Sequence, residues 1–290
     1  MSTVALLVIT GLGLGSLYFL VASGLSLIWG LMRVLNFAHG AIFTVAAYAG
    51  WVVASNAGND AGLAWIAGLV AALLCGGVAA FLLEVLLIRP LYARPIGQVL
   101  VTVGAALALV ALMIGIFGGT AVQLNTPNWM SSNTTIVGAS IPNTRLLLIG
   151  VALVVLALLL FFLQRTRYGL IVRAGVENRS MVQALGIDVG RAFTIVFTIG
   201  GMAAGLAGYL AATYFGFVDP ERGTSMLIFA FIVVVVGRLG SMTGTAIAAA
   251  GVALMQQFLN FYAAPGVGDF SVVLLLAVAL LLRPQGAYGS

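Results

Sequence analysis

The chain has 290 residues, of which 62% are hydrophobic and only 7% are charged, whereas about 25% of the residues of a soluble domain are charged. A soluble fold of this size cannot cover so much apolar surface with polar side chains, so the composition excludes a water-soluble protein and predicts a bilayer as the solvent. The net charge of +5 does not indicate nucleic-acid binding, because the arginines lie between apolar segments and form no basic stripe.

Apolar segments of roughly membrane-spanning length recur along the chain. In chain order they lie near residues 4–31, 40–55, 62–88, 98–118, 146–163, 192–217, 226–237, 243–262 and 269–282. The segments 226–237 and 269–282 are shorter than a normal span, and the first ends at a glycine-containing turn, which predicts a half-helix or broken helix. The sequence therefore predicts an all-α polytopic membrane protein with eight to nine transmembrane or half-membrane helices, in one domain over residues 1–290.

The arginines predict how the chain is oriented across the membrane. All twelve basic residues are arginine, and residues 164–191 hold five of them, so the positive-inside rule places this loop in the cytoplasm. Counting spans outward from it leaves only Arg145 and Arg222 outside, with the N-terminus outside and the C-terminus inside. The stretches 119–145 and 217–225 are then external loops.

Motifs for enzyme chemistry are missing from the sequence. There is no HExxH or GxSxG motif and no cluster of histidines or cysteines, since His39 and Cys75 are single. The chain has no lysine and therefore cannot hold the phosphate-binding loop of a P-loop ATPase. The acidic residues lie near span ends or in loops, and Glu84 is the deepest. Glu84 stands about one helical turn before Arg89, which favours an interfacial ion pair over a role in transport.

The cytoplasmic loop carries the strongest local pattern. From Gly175 to Gly186 it predicts a short amphipathic helix, with Met181, Val182 and Leu185 on one apolar face. Gly186 is typical of a helix C-terminus. Such a helix either lies on the lipid headgroups or docks into a groove on a cytoplasmic partner, and composition alone leaves both possibilities open.

Five stretches spread over nearly the whole chain carry a family pattern. They are the opening at 11–50 with NFAHG at 36–40, RPLYARP at 89–95, RAGVENRSMVQALGIDVGRAFTIVFTIGGMAAGLAGYL at 173–210, VVVGRLGSMTGTAIAAAGVAL at 234–254 and RPQG at 283–286. Together they resemble the permeases of ATP-binding cassette importers for branched-chain amino acids, and they keep the order of that family. One departure is Arg238, which stands where many relatives have a second glycine.

The resemblance implies the fold of a type II importer permease and a set of partners. These are a second homologous permease, two cytoplasmic ATPase subunits that bind ATP and Mg, and a periplasmic substrate-binding protein. The chain itself is expected to hold no cofactor, to bind no nucleic acid and to lie in the bacterial inner membrane. Its expected cargo is leucine, isoleucine or valine. Urea, short amides and aromatic acids are the alternatives within this importer class, and a stand-alone carrier or channel is the alternative outside it.

The resemblance also implies roles for individual residues. The segment 173–187 becomes a coupling helix whose contacts to the ATPase are Arg173, Ala174, Gly175, Glu177, Arg179, Met181, Val182, Leu185 and Gly186. A charged loop suited to docking the binding protein holds Asp219, Glu221 and Arg222, although a solvated loop with an internal salt bridge fits these residues equally well.

The resemblance also implies a translocation path through the membrane with an inner gate, and we assign both to polar residues of the spans. Asn36 and His39 lie in the motif that joins the first two spans, near the cytoplasmic side, where Asn36 is a favoured helix cap. His39 fits a hydrogen-bonded structural residue better than a pH sensor or a ligand. The hydroxyls expected along a weakly binding, water-filled path are Ser23, Ser26, Thr44, Thr102, Thr194 and Thr198.

Overall fold

The computed structural model describes residues 2–32, 36–58, 60–92, 94–177, 181–182 and 188–282. The helices in these ranges are α1 Ser2–Met32, α2 Ala38–Asn56, α3 Ala61–Leu83, α4 Pro95–Phe117, α5 Asn128–Ser131, α6 Asn143–Arg165, α7 Arg167–Glu177, α8 Val189–Phe215, α9 Arg222–Val236, α10 Met242–Tyr262 and α11 Val267–Leu282. The strands are β1 Val122–Gln123, β2 Asn133–Ile136, β3 Ala139–Pro142 and β4 Phe217–Val218. A π-helical turn, Glu84–Ile88, and a 3-10 turn, Arg89–Leu91, extend α3.

Among the described residues, seven helices are long and apolar enough to cross a membrane. They are those over Ser2–Gly30, Ala38–Asn56, Ala61–Leu91, Pro95–Phe117, Asn143–Arg165, Gly190–Phe215 and Met242–Tyr262. The apolar helices α9 and α11 are shorter, with 15 and 16 residues. The prediction of an all-α polytopic protein with eight to nine spanning or half-spanning helices is confirmed, and α9 is the half-helix expected at 226–237.

The two short sheets lie in connections that the sequence predicts to be external. β1 pairs antiparallel with β4, with Val122 opposite Val218. β2 and β3 form a hairpin that pairs Asn133 with Pro142 and contacts α1. The long polar stretch 119–145 therefore holds β1, α5 and this hairpin, while its external position stays a prediction.

Helix α8 is the centre of the bundle, and its small residues explain why. It packs on α1, α2 and α3, and its apolar window is 78% buried, against 17% for α6. A Cβ atom on Gly205 would collide with the carbonyl oxygen of Ala72, and one on Gly208 with that of Phe43. Helices without side chains at the contact approach closely enough for dispersion to hold them together in lipid, where the hydrophobic effect between helices is weak.

Helices α1 and α6 run side by side, and the contacts between them relate positions along α1 to depth in the membrane. A Cβ atom on Gly13 would lie 3.1 Å from Cβ of Arg145, directly before the apolar part of α6. Further along, Leu27 and Leu159 share one buried cluster. At about 1.5 Å per residue, Val21 lies about 12 Å below the level of Gly13. With Arg145, at the level of Gly13, taken as the edge of a hydrocarbon layer about 30 Å thick, Val21 lies near the middle of the layer.

Replacing Gly205 with valine tests the packing of α8. Gly205→Val should destabilise the protein by about 1–3 kcal/mol, because the branched side chain has to push α3 and α2 away. The melting temperature of the purified protein in detergent should fall by about 2–4 °C for each kcal/mol.

The matched control is Gly104→Val in α4, where nothing lies within 4 Å of an added Cβ. Equal melting temperatures for the two variants would contradict the close packing of α8.

Candidate translocation site

The coupling segment is described only in part. Helix α7, over Arg167–Glu177, overlaps the start of the helix predicted at 175–186, and Met181 and Val182 within the predicted segment are helical too. Arg173 is exposed and Ala174 is half-buried. The side chains of Gly175 and Glu177, and the residues Arg179, Leu185 and Gly186, lie outside the described residues. Their predicted contacts to an ATPase stay predictions.

The two apolar residues described in this segment point in different directions. Met181 is 63% exposed, whereas Val182 is only 4% exposed. Val182 lies in a buried cluster with Val172 of α7, Phe193 of α8 and Leu27 of α1. Val182 therefore differs from its predicted role of filling a groove on a partner, because its side chain is already buried within its own chain.

A buried carboxylate connects the end of α3 to the beginning of α8. Glu84 is fully buried and accepts hydrogen bonds from the hydroxyl of Tyr92 and from Oγ1 of Thr194, at 2.9 Å. Arg89, its predicted partner, is exposed at the end of the π-helical turn. The predicted Glu84–Arg89 ion pair is therefore replaced by two hydroxyl contacts, and Thr194 binds Glu84 instead of facing a path.

Residues 36–40 bring the chain back toward the middle of α1. His39 is fully buried and donates a hydrogen bond from Nε2 to the carbonyl oxygen of Val21, at 3.0 Å. Asn36 accepts one from the backbone N–H of Ala38, at 3.1 Å, as expected of a residue that caps the next helix. Helix α2 therefore begins beside Val21, well before the end of α1 at Met32, whereas the sequence predicts that this motif lies near the cytoplasmic end of the first span. His39 holds α2 against α1.

The predicted path hydroxyls mostly lie between helices. Ser23, Ser26, Thr44 and Thr102 are buried, and Thr198 is half-buried and bonds back to the carbonyl of Thr194, at 2.8 Å. Ser26 accepts a hydrogen bond from Thr245 of α10, at 3.1 Å. These hydroxyls satisfy one another or the backbone inside the bundle, and Thr44 contacts the turn that precedes α9.

The turn that precedes α9 enters the protein at the depth of the first turns of α2. Oγ1 of Thr44 donates to the carbonyl of Pro220, at 3.4 Å, and accepts from the N–H of Gly223, at 3.2 Å. A Cβ atom on Gly40 would lie 2.5 Å from the carbonyl oxygen of Gly223. Gly40 follows His39, so this turn lies near the middle of the membrane. The sequence predicts an external loop at 217–225, and hydropathy gives no sign that residues 220–223 pack against α2; the external position itself stays a prediction.

Two of the three charges at this turn neutralise each other. Nη2 of Arg222 lies 3.7 Å from Oδ2 of Asp219, and its guanidinium lies 4.4 Å from the ring centre of Phe215. Asp219 also accepts a hydrogen bond from the N–H of Glu221, at 3.0 Å. Glu221 itself is exposed, and its carboxylate does not cap α9. Glu221 therefore lies beside the first turns of α2, whereas Glu84 lies beside Thr194 near the start of α8.

Beside Glu221 lies a cavity of about 420 Å³, within the roughly 300–1,000 Å³ of small-molecule sites. Its polar side is formed by Glu221, Thr224 and Ser225 at the start of α9. The remaining lining residues are Phe37, Gly40, Ala41, Val103, Ala106, Leu107, Val110 and Leu227. The cavity therefore presents a carboxylate and two hydroxyls beside an apolar wall, an arrangement that suits a small amphiphilic molecule.

Comparison with known proteins identifies relatives along the whole chain. The family model described as "Branched-chain amino acid transport system / permease component" matches residues 7–282. The high-affinity branched-chain amino acid transport system permease protein LivH of Escherichia coli (strain K12) is 26% identical, over 96% of this chain and 93% of its own length. BraD of Pseudomonas aeruginosa, a permease protein with the same description, is 26% identical over 97% and 94%. A probable branched-chain amino acid transport permease protein of Methanocaldococcus jannaschii is 26% identical over 94% and 89%. No solved structure matches the chain.

Removing the hydroxyl of Thr194 tests the Glu84 contact. Thr194→Val should destabilise the protein by about 1–3 kcal/mol, because one oxygen of a buried carboxylate loses its donor and cannot reach water. The measurement is the melting temperature in detergent.

Thr198→Val is the matched control, one helical turn further along α8, where the hydroxyl bonds only to the backbone of its own helix. A shift as large for Thr198→Val as for Thr194→Val would show that the contact to Glu84 contributes nothing specific.

Proposed function

Because the chain belongs to the family of permease components of branched-chain amino acid transport systems, we propose that it is the permease subunit of an ATP-driven importer of leucine, isoleucine and valine. The match of that family over residues 7–282 is the observation that carries the proposal. With seven candidate spans in the part of the chain that the structure describes, it is a multi-pass inner-membrane protein. The relatives named above are described as permeases for the same amino acids.

The cavity beside Glu221 supports a path for such cargo. A branched-chain amino acid has an aliphatic side chain and two charged groups, so its path needs apolar and polar surface close together. Val103, Leu107 and Val110 of α4 supply the apolar wall, and the start of α9 supplies the polar groups. The interrupted helices allow this, because irregular backbone inside a membrane is tolerated where it is buried or lines a cavity.

The exposure of Glu221 supports a protein partner on this face. A carboxylate in contact with lipid near the middle of a bilayer costs about 2.5–3.5 kcal/mol on the insertion scale. A second permease against α2, α4 and α9 removes that cost, because it replaces lipid by a water-filled path between two chains. We therefore place the path between two permease subunits, with this face of the chain as one wall.

Energy for transport comes from separate subunits in this proposal. The chain has no lysine for a phosphate-binding loop, so ATP and Mg bind to two cytoplasmic ATPases. The ATPases contact the exposed Arg173 and Met181, while Val182 and Val172 connect the segment to α1, α6 and α8. Movement of the segment is thereby passed to the central helix. A periplasmic protein delivers the cargo on the other side.

Uptake of radiolabelled leucine by the host tests the proposed function. Deleting the gene should abolish high-affinity uptake, and restoring the gene should recover it. Isoleucine and valine should compete with leucine, whereas urea, acetamide and phenylalanine should not. The assignment as an ATP-driven importer is contradicted if uptake persists after the deletion. It is also contradicted if uptake stops when the ion gradient is removed while the ATP concentration is kept high.

Met181→Asp tests the contact to the ATPase. A charge at this exposed position should leave membrane insertion intact and lower the amount of copurifying ATPase about tenfold or more, as expected for a residue at the centre of an interface. The control is Val137→Asp, which changes another exposed apolar residue in the hairpin predicted to lie on the opposite side. Loss of ATPase with both variants, or with neither, contradicts the assignment of this segment.

A further inference from the structure

The start of α9 places an acidic side chain where acidic residues are rare. Its depth follows from two separate contacts, the hydrogen bonds of Thr44 to Pro220 and Gly223 and the close approach of Gly40 and Gly223. Thr44 itself precedes the end of α2 at Asn56 by about 18 Å of helix. Ionisable residues at such depth face a cavity or a partner, and they mark the routes of ions and substrates.

The carboxylate of Glu221 is available for a ligand. Its neighbours Asp219 and Arg222 pair with each other, and α9 takes no side-chain cap from Glu221. Among the described residues, no hydrogen bond or ion pair involves the carboxylate oxygens of Glu221. The carboxylate is exposed into the cavity that Thr224 and Ser225 also line.

The backbone at this helix start has no free donors for an anion. The N–H of Arg222 bonds to the carbonyl of Asp219, and that of Gly223 to Oγ1 of Thr44. The N–H groups of Thr224 and Ser225 both bond to the carbonyl of Glu221, at 3.1 and 3.3 Å. Because these donors are occupied, the groups turned toward the cavity are a carboxylate and two hydroxyls. Such a set suits a compact cation with several donors, and a primary ammonium has three.

We propose that Glu221, Thr224 and Ser225 form a binding step for the ammonium group of the transported molecule, near the middle of the membrane. The aliphatic side chain of the molecule lies against Val103, Leu107 and Val110, and its carboxylate faces the open side of the cavity. The site takes small aliphatic molecules with a primary ammonium and rejects those without one. In naming branched-chain amino acids as the ligand, this proposal rests on the proposed function.

Cysteine labelling tests the site without any transport assay. Cys75 is the single cysteine of the chain, so Cys75→Ala gives a thiol-free background. In that background Thr224→Cys is expressed from the native locus, together with the natural partners of the chain. A trimethylammonium-ethyl methanethiosulfonate should label this thiol about tenfold faster than the anionic sulfonatoethyl reagent, because the nearby carboxylate attracts cations and repels anions.

Two further variants make the labelling result decisive. Adding Glu221→Gln should remove the preference for the cationic reagent. Leu153→Cys, on an exposed position of α6, should react with neither reagent, because it faces lipid. Absence of labelling at Thr224→Cys, or equal rates for the two reagents, overturns the proposal.

Uptake measurements then identify the ligand. Glu221→Gln should lower the maximal rate of leucine uptake about tenfold, and Glu221→Asp should recover part of it, while the assembled importer is recovered in the same amount. Undiminished uptake by Glu221→Gln overturns the proposal. If the unmodified chain transports no branched-chain amino acid, the proposed function fails, and the labelling preference alone decides whether the cation site exists.

Discussion

A chain that interrupts its helices inside a membrane has to find partners for the freed backbone groups within the protein, because lipid offers none. The turn before α9 meets this constraint with one side chain: the hydroxyl of Thr44 both donates to Pro220 and accepts from Gly223. The absence of side chains at Gly40 and Gly223 allows the approach. The depth of α9, the cavity beside it and the position of Glu221 all depend on this contact.

The remainder of the bundle holds that turn in place. Helix α8 packs glycine to backbone against α2 and α3, so α2 has little freedom to tilt away from α9. His39 ties the beginning of α2 to Val21 of α1. At the other end of α8, Glu84 binds Thr194 across to α3. A rigid frame of α1, α2, α3 and α8 thus surrounds the site, while α4 and α6 are largely exposed.

Composition and hydropathy predict the class of fold because lipid imposes apolar segments of a set length. They also predict the short helix at α9, since 226–237 is too short to span. They do not reveal the contacts of 217–225, because a polar stretch between apolar ones has the same hydropathy whether it lies in water or folds back into the protein. Gly40 and Gly223 are small enough to allow close contact between α2 and the turn before α9. The sequence shows both glycines, but only the fold shows that they lie next to each other.

The other differences between prediction and structure also come from contacts and backbone geometry that hydropathy does not show. Glu84 and Arg89 are spaced for an ion pair on a regular helix, but the π-helical turn over Glu84–Ile88 breaks that spacing and leaves Arg89 exposed. Hydroxyls such as Ser26 look like path residues in sequence, yet Ser26 binds Thr245, more than two hundred residues away along the chain. Val182 has the pattern of a docking residue and is buried because α6, α7 and α8 meet around it.

Helices α2 and α9 both begin beside the same cavity, so two helix N-termini meet near the middle of the membrane. Each end contributes a positive partial charge of at most about +0.5, which weakens the negative potential of Glu221 without cancelling it. The cavity therefore still attracts a cation, but less strongly than an isolated carboxylate does. A molecule with one positive and one negative group meets no deep electrostatic well there, so it can be held briefly and then released.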